Sequence, residues 1–534
     1  GFKKFLYRCL PTGQGVGVAA VTTAALLAAG PASANLDAAD STNADRLWSG
    51  GGLGLNLTGA GVTVGVWEAG SIWEIRDTHE AFASYNPATG NWDGPSRVSF
   101  GDSPSGSYSG HATHVASPLG GAHIPGKEQT WGAAPGVDIV SYSSFVVTSD
   151  IISETQIDIS NHSYGSDLNP NNYGRYSWSS AGLDDALFQR PKHLAFFAAG
   201  NDRSSVSFDY DTLGYYQTAK NNVVIGSVAD YLFAHTAGYA GSITTSWFSS
   251  YGPTDDGRIG VDLVANGDLL YSADDYSDTQ YSYASGTSMA SPNAAGTAAL
   301  ILEHWRNENG GYTPDSATQK GLLMHTATDA TSYGYGPDYA TGYGLIDAEE
   351  AVGHITEAHN TPEASRDRHI WEGTLSDGET LSLDLLATGG EFKASLSWLD
   401  PAADYDIVYT TNDRTPKLVN DLDIWVTDQY GNTFYPWVLD PENPDADATR
   451  DGHNRVDNFT QVFNEADRYA PGVDLTLYIS HIGSLEGGSQ DYALILSGAL
   501  LANSTPLELT PVPEPGSLAL LGLGGLLIPR RRRG

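Results

Sequence analysis

The chain has 534 residues, and its 64 acidic residues against 27 basic ones give a formal net charge of -37 at pH 7. Such a surface repels nucleic acid and anionic membranes, which excludes both as expected partners. The length and an apolar content of 40% predict about two to four globular domains, each with its own core. The single cysteine, Cys9, lies near the start of the chain. We therefore expect neither a disulfide nor a cysteine nucleophile in the exported protein.

Residues 1–34 have the pattern of a secretory signal. A basic start over residues 3–8 precedes a weakly apolar stretch over residues 15–30 and the Ala-Xaa-Ala cleavage pattern at Ala32-Ser33-Ala34. The apolar stretch is too short to span a bilayer, which disfavours a retained anchor. We therefore expect the chain to be exported.

Between Gly61 and Val352, short runs rich in β-branched and aromatic residues alternate with helical stretches of small residues. Five of these runs predict buried strands: Val62–Trp67, Val137–Tyr142, Ile157–Ser163, Leu194–Ala199 and Asn222–Val228. Apolar strands separated by helices predict an α/β fold, with a mostly parallel, doubly wound sheet covered on both faces. In such sheets functional groups gather beyond the carboxyl ends of the strands.

Four polar side chains stand at that edge in the predicted fold. Glu68 and Asn201 follow strands, whereas His111 and Ser288 open helices. Ser288 stands two residues after Gly286 and begins an Ala-rich helix, which places its hydroxyl at the positive end of the helix dipole. That environment suits a nucleophile whose reaction develops negative charge nearby. An ordinary helix start is the alternative, because Ser and Thr are favoured caps.

The segments that carry these residues resemble, in content and order, those of the subtilisin-like serine proteases, the subtilase family. The segments are Val62–Gly70, Gly110–Ser117, Ala199-Gly200-Asn201 and the run Gly-Thr-Ser-Met-Ala-Ser-Pro at Gly286–Pro292. Phe248–Pro253, Asp256–Ala265 and Gly342–Ala348 also look like stretches of that family. The resemblance runs from about Asn35 to about Val352, and it implies a serine endopeptidase that works through an acyl-enzyme.

The resemblance implies a role for each residue. His111 would be the general base, Ser288 the nucleophile and Asn201 the oxyanion donor. The orienting acid would be Glu68, where the family has Asp; sets of Ser, His and Glu serve in other hydrolases. Glu74 and Asp77 are the alternative acids. The pocket for the residue before the scissile bond would be lined by Ser163, Tyr164, Gly165, Ala199 and Gly200.

Three other interpretations compete with this one. Sedolisins combine Ser, Glu and Asp, but they have Asp where this chain has Asn201 and lack the His111 motif. His111 and His114 are spaced as a zinc pair could be, but no third ligand stands nearby in the sequence. A subtilase scaffold that has lost its acid could act as a surface binding or adhesion module. Glu68 is the residue that distinguishes this last alternative from an enzyme.

From Ile370 to Gly498 the pattern changes to alternating strands. Examples are Leu381–Leu385, Ala394–Trp398, Asp423–Val426 and Leu475–Ile479. Turn residues about every 8–12 positions predict an antiparallel β-sandwich, and the region resembles the jelly-roll domain that follows some bacterial subtilases. Six aspartates have the spacing of hard-cation ligands: Asp421, Asp423, Asp445, Asp447, Asp451 and Asp457. Structural calcium is therefore possible, while the chemistry needs no cofactor.

The end of the chain resembles the Pro-Glu-Pro sorting tag of exported bacterial proteins. Val512-Pro513-Glu514-Pro515 precedes a Gly- and Leu-rich stretch and the run Arg530–Arg533. Such a tag holds a protein briefly in the membrane until a sorting enzyme cuts near the motif. The expected organisation is a signal peptide (1–34), a catalytic domain (35–355), a β-sandwich (365–500) and a sorting tag (501–534). We expect a secreted or cell-surface protein with polypeptide substrates and a sorting enzyme as partners.

Overall fold

The computed structural model describes residues 34–165, 169–229, 243–329, 333–405, 412–466, 468–502 and 510–511. The expected signal up to residue 33 and the Pro-Glu-Pro motif with the arginines after it lie outside the described residues. Within the described ranges, no helix combines the length and the hydropathy that crossing a membrane requires.

A parallel sheet forms the first half of the described chain. Its strands are β1 Thr63–Glu68, β2 Val98–Phe100, β3 Asp138–Ser143, β4 Ile159–His162, β5 Leu194–Ala198, β6 Val223–Val228 and β7 Leu263–Asn266. They lie in the order β2-β3-β1-β4-β5-β6-β7, and all neighbours pair in parallel. The five strands predicted from the sequence correspond to β1, β3, β4, β5 and β6. A short antiparallel hairpin follows, made of β8 Leu270–Ala273 and β9 Tyr281–Ala284.

In the part of the chain that the structure describes, seven α-helices accompany these strands. They are α1 Ala34–Ser41, α2 Gly110–Gly120, α3 Val147–Ser153, α4 Trp178–Phe188, α5 Thr287–Glu308, α6 Ser316–Thr326 and α7 Ala348–Asn360. α5 is rich in small residues and packs against α2 and the strands β4 to β7. One buried cluster joins α2, α5 and one face of the sheet. A second cluster, with Trp67, Tyr142 and Phe197, joins the other face to α3 and α4. The sheet is therefore covered on both faces.

Antiparallel strands form the second half. They are β10 Arg368–Ser376, β11 Leu381–Ala387, β12 Phe392–Ser397, β13 Asp421–Asp428, β14 Thr433–Phe434, β15 Phe459–Asn464, β16 Asp474–Ile482, β17 Ser489–Ser497, β18 Ala499–Leu501 and β19 Thr510–Pro511. One sheet has the order β10-β17-β12-β15, and the other has β14-β13-β16-β11-β18 with β19 paired to β11. A core that includes Leu396, Ile424, Leu477 and Leu494 lies between them. The predicted fold class, a parallel α/β sheet followed by an antiparallel β-sandwich, is confirmed.

The two halves share buried surface. α6 packs on β12 and β17, and α7 packs on β10. The main core of the first half continues into Trp437, Phe459, Phe463 and Ile495 of the second. The contact between the sandwich and the parallel sheet is therefore part of the protein interior.

Candidate active site

The central strand β1 carries Glu68 to the carboxyl edge of the sheet. β1 pairs with β3 on one side, as far as Glu68 opposite Ser143, and with β4 on the other. Because it is flanked on both sides, the end of β1 is held by two ladders of backbone hydrogen bonds. The Glu68 side chain is buried, with 7% of its surface exposed.

Glu68 contacts His111 directly. The distance from Nδ1 of His111 to Oε2 of Glu68 is 2.6 Å, which is the length of a charge-assisted hydrogen bond. The other oxygen, Oε1, accepts the N–H of the next residue, Ala69, at 3.0 Å. The glutamate side chain thus folds back toward its own backbone. This conformation accommodates the methylene group by which Glu exceeds Asp.

His111 belongs to the first turn of α2. The hydroxyl of Ser109 caps this helix by accepting the N–H of Ala112 at 3.1 Å. The cap fixes where α2 begins, and so it fixes the position from which the His111 side chain extends. The His111 side chain is 39% exposed on the side that Glu68 does not cover. A substrate can therefore reach the ring.

Ser288 lies in the first turn of α5, where backbone N–H groups have no partner within the helix. Its hydroxyl donates to the carbonyl of Ser163 at 3.3 Å, and its own carbonyl accepts the Ser163 hydroxyl at 3.0 Å. Asn161 supports this contact, because its amide donates to Ser163 Oγ at 3.1 Å and accepts the hydroxyl of Ser291 at 2.7 Å. The start of α5 is thereby held against the end of β4.

Asn201 stands beside the same helix start. Gly200 has a φ of 109°, a conformation that L side chains avoid, and this turn directs the chain from β5 toward α5. Oδ1 of Asn201 accepts the N–H and the hydroxyl of Thr287, at 3.0 and 3.2 Å. With the oxygen engaged in this way, the amide N–H₂ is the group left to donate to a ligand.

The alternative acids lie elsewhere. The Glu74 carboxylate accepts the hydroxyl of Ser105 at 2.6 Å and the N–H of Gly106 at 2.9 Å, so it holds the loop before α2. Asp77 accepts the phenol hydroxyl of Tyr108 at 3.1 Å. The structure therefore brings Glu68, and neither alternative, to the His111 ring.

The expected pocket residues flank the first turn of α5. Ser163, Tyr164 and Gly165 continue from β4, and Ala199 and Gly200 continue from β5. The Gly200 N–H donates to the Thr287 hydroxyl at 3.1 Å. The Tyr164 side chain leaves this region and packs with Trp67 and Phe197 on the far face of the sheet. Burial raises the pKa of its phenol well above 10, so the ring stays neutral.

His114 is a packing residue in this structure. Its Nε2 lies 3.1 Å from the carbonyl of Ser282, and burial lowers its pKa to about 4. His111 and His114 therefore face different partners. Within the part of the chain that the structure describes, no three His, Cys, Asp or Glu side chains converge closely enough to hold a metal ion.

The aspartates expected to bind calcium have protein partners. Asp421 and Asp423 form ion pairs with Arg455, at 3.4 and 3.3 Å. Asp457 accepts the N–H of Ile259 at 2.9 Å and the amide of Asn454 at 2.9 Å. These carboxylates thus stabilise loops of the second half and its junction with the first half. A structural calcium stays a prediction of the sequence.

Sequence patterns did not single out Thr287, Asn161 or Gln217. Thr287 stands within the sequence motif around Ser288, so the motif locates it near the site. The motif does not indicate that Thr287 holds Asn201. Asn161 lies inside the buried strand β4, where no local pattern marks its side chain as part of the site. Gln217 stands in a stretch without a recognisable pattern, yet its amide donates to the carbonyls of Tyr164 and Ala198. Only the fold brings these two carbonyls together.

Two family models match the chain. The sequence model of the subtilase family, peptidase S8, matches residues 59–344, and that of the PEP-CTERM protein-sorting motif matches residues 511–533. The chain is similar to tripeptidyl-peptidase 2 of Drosophila melanogaster, at 27% identity over 278 residues, which is 47% of this chain and 18% of that protein.

Two further relatives match a similar share of the chain. Subtilisin DY of Bacillus licheniformis is 29% identical over 264 residues, covering 47% of this chain and 81% of that protein. The halolysin-like extracellular serine protease Nep of Natrialba magadii is 29% identical over 266 residues, covering 45% and 42%. The chain spans less than a fifth of the length of the tripeptidyl-peptidase relatives that it matches.

Proposed function

Because the chain belongs to the subtilase family, we propose that it is a secreted serine endopeptidase with a triad of Glu68, His111 and Ser288. The observation that carries the proposal is the 2.6 Å contact between Glu68 and His111. A scaffold that had lost its acid would have no use for a carboxylate aligned with this ring. The contact therefore favours an enzyme over a binding module.

The proposed reaction begins when the Ser288 hydroxyl exchanges its bond to the Ser163 carbonyl for one to Nε2 of His111. His111 takes the hydroxyl proton while Oγ forms a bond to the peptide carbonyl carbon. Glu68 accepts a hydrogen bond from Nδ1–H, which selects the tautomer with a free Nε2 and stabilises the imidazolium. The C–N bond then breaks, and His111 returns the proton to the leaving amine.

The second half of the reaction repeats the first with water. His111 deprotonates a water molecule that attacks the ester on Ser288, and the proton returns to Oγ as the acid product leaves. In both halves the negative oxygen of the tetrahedral intermediate would accept the amide N–H₂ of Asn201 and the backbone N–H of Ser288. Donors of this kind, fixed before reaction, stabilise charge more than mobile water does.

The sorting motif at residues 511–533 supports export. We infer that the protein acts outside the cell or at its surface, on polypeptide substrates, after a sorting enzyme has processed its tail. The proposed chemistry uses no cofactor.

A fluorophosphonate probe tests the proposed activity on the full chain. Such probes react with activated serines, so the parent protein should be labelled, and Ser288→Ala and His111→Ala should not. Ser365→Ala, at an exposed serine between α7 and β10, is the control and should label as the parent does. Absence of labelling in the folded parent would favour the binding module instead.

A further inference from the structure

Two backbone segments border the first turn of α5 and form the sides of a slot next to Ser288. One is Ser163–Gly165, whose first carbonyl lies 3.3 Å from Ser288 Oγ. The other is Ala198–Gly200, whose last N–H donates to Thr287 at 3.1 Å. Since the Tyr164 ring turns away from this slot, backbone forms both of its sides. The depth of the slot is then decided by what lies between the two segments.

Gln217 lies between them. Its amide nitrogen donates to the Tyr164 carbonyl at 2.9 Å and to the Ala198 carbonyl at 2.8 Å, so one side chain ties the two sides together. Gln217 is 1% exposed. These two bonds also fix which end of the amide is nitrogen and place Oε1 on the opposite side.

The space around this amide is full. A Cβ atom added at Gly165 would lie 2.9 Å from the amide nitrogen of Gln217. One added at Gly214 would lie 2.2 Å from the carbonyl oxygen of Gly165 and 3.1 Å from Oε1 of Gln217. At Gly214 not even a methyl group fits without movement of the backbone, and at Gly165 it would press against the side-chain amide of Gln217. The slot is therefore closed at the level of Gln217.

Gln217 is also an imperfect residue for stability. Among the described residues, its Oε1 is buried without a hydrogen-bond partner, although buried polar atoms normally have one. An apolar or smaller residue would avoid that cost, but it would leave the Tyr164 and Ala198 carbonyls without these hydrogen bonds. A buried amide that ties the two sides together and leaves its own oxygen unsatisfied calls for a functional explanation.

We propose that Gln217 forms the floor of the pocket for the residue before the scissile bond and limits that residue to a small side chain, such as Gly, Ala or Ser. This inference rests on the proposed peptidase function, and it names the class of polypeptide that the site accepts. A floor at this level excludes the side chains of Leu, Phe and Tyr because they would overlap with Gln217.

The test uses the full chain and peptide substrates that differ only in the residue before the cleaved bond: Ala, Ser, Leu or Phe. Active-site titration with the fluorophosphonate probe gives the concentration of competent enzyme. The parent should cleave after Ala at least ~10-fold faster, in kcat/KM, than after Phe. Gln217→Ala should raise the ratio of Phe to Ala cleavage at least ~10-fold.

Gln217→Met is the matched control, because it keeps the length and volume of the side chain and removes both donated hydrogen bonds. It should keep the preference of the parent for Ala, within roughly 3-fold, even if it lowers the melting temperature. The inference is overturned if the parent prefers Phe or Leu, or if Gln217→Met changes the ratio as much as Gln217→Ala.

The two proposals fail in different ways. Labelling of Ser288 without cleavage of the Ala and Ser peptides would overturn the inference on Gln217 and leave the nucleophile in place. No labelling and no cleavage by a folded parent would overturn both. If Gln217→Ala does not fold, the preference of the parent alone still decides the inference.

Discussion

The cleft at the edge of the parallel sheet and the junction between the two halves each place an acid against a base. In the cleft, the His111 side chain is 39% exposed and meets Glu68. At the junction, Lys220 and Asp400 form an ion pair in which both side chains are 0% exposed. A base that solvent and substrate can reach is able to gain and lose a proton during a reaction. A pair sealed from water instead holds the structure together.

The junction shows how a sealed pair is satisfied. The ammonium group of Lys220 also donates to the carbonyls of Pro401 at 2.6 Å and Lys417 at 2.8 Å. Asp400 accepts the N–H groups of Val419 at 2.9 Å and Asn420 at 2.7 Å. Burying charges is costly unless the remaining donors and acceptors are also paired. Since Lys220 belongs to the first half and its partners to the second, we expect the two halves to unfold as one unit.

The largest expected effect belongs to the cleft. Ser288→Ala should lower kcat by ~10⁶, and adding His111→Ala should lower it little further, because the two residues act as a unit. Ser288→Ala should change the free energy of unfolding by no more than ~0.5 kcal/mol. Steady-state kinetics and urea unfolding measure the two quantities. Additive losses in the double variant would contradict the joint role.

At the junction the effect should be on stability. Lys220→Met leaves Asp400 buried without a cation, which should lower the free energy of unfolding by about 3–5 kcal/mol. Lys127→Met is the control: this lysine pairs with Glu80 where both side chains are partly exposed, and its loss should cost about 0–1 kcal/mol. Equal losses in the two variants would contradict the distinction between sealed and exposed pairs.

The Asn201→Ala variant tests the proposed oxyanion donor. Loss of one oxyanion donor should lower kcat by ~10²–10³ with little change in KM, because the interaction forms only as charge develops. Asn201→Asp keeps an oxygen to accept from Thr287 but offers no amide N–H₂, so it should lose as much. A change confined to KM would show that Asn201 binds the ground state instead.

We expect the smallest effect from Asp211, near the junction of the two halves, where stability should depend on pH. Burial, and then the nearby Asp255, raise the pKa of Asp211 from 3.8 to about 7. Because the folded pKa lies above the unfolded one, ionisation of Asp211 opposes folding; the loss of stability starts near pH 4 and is complete above pH 7. Asp211→Asn should therefore gain stability relative to the parent as the pH rises across that interval. Thermal unfolding at several pH values measures this, and a difference independent of pH would contradict it.

The sequence predicted the sheet and the four residues at its edge because the signals for both are local. Strands such as Leu194–Ala198 are continuous apolar runs, and Ser288 opens a helix of small residues. Lys220 and Asp400 are 180 residues apart, and neither has a local pattern that marks it as buried. The same holds for Gln217, whose partners come from two different strands. The aspartates near Asp423 had a spacing typical of cation ligands, but ion pairs with Arg455 depend on packing that spacing does not encode.

The central claim is that Glu68 is the acid that orients His111. The most direct measurement compares kcat for Glu68→Gln and Glu68→Asp, with Asp77→Asn as the control. We expect a loss of ~10⁴ for the amide, a much smaller loss for the shorter acid, and parent-like turnover for the control. Parent-like turnover of Glu68→Gln, or a large loss in Asp77→Asn, would contradict the assignment of Glu68.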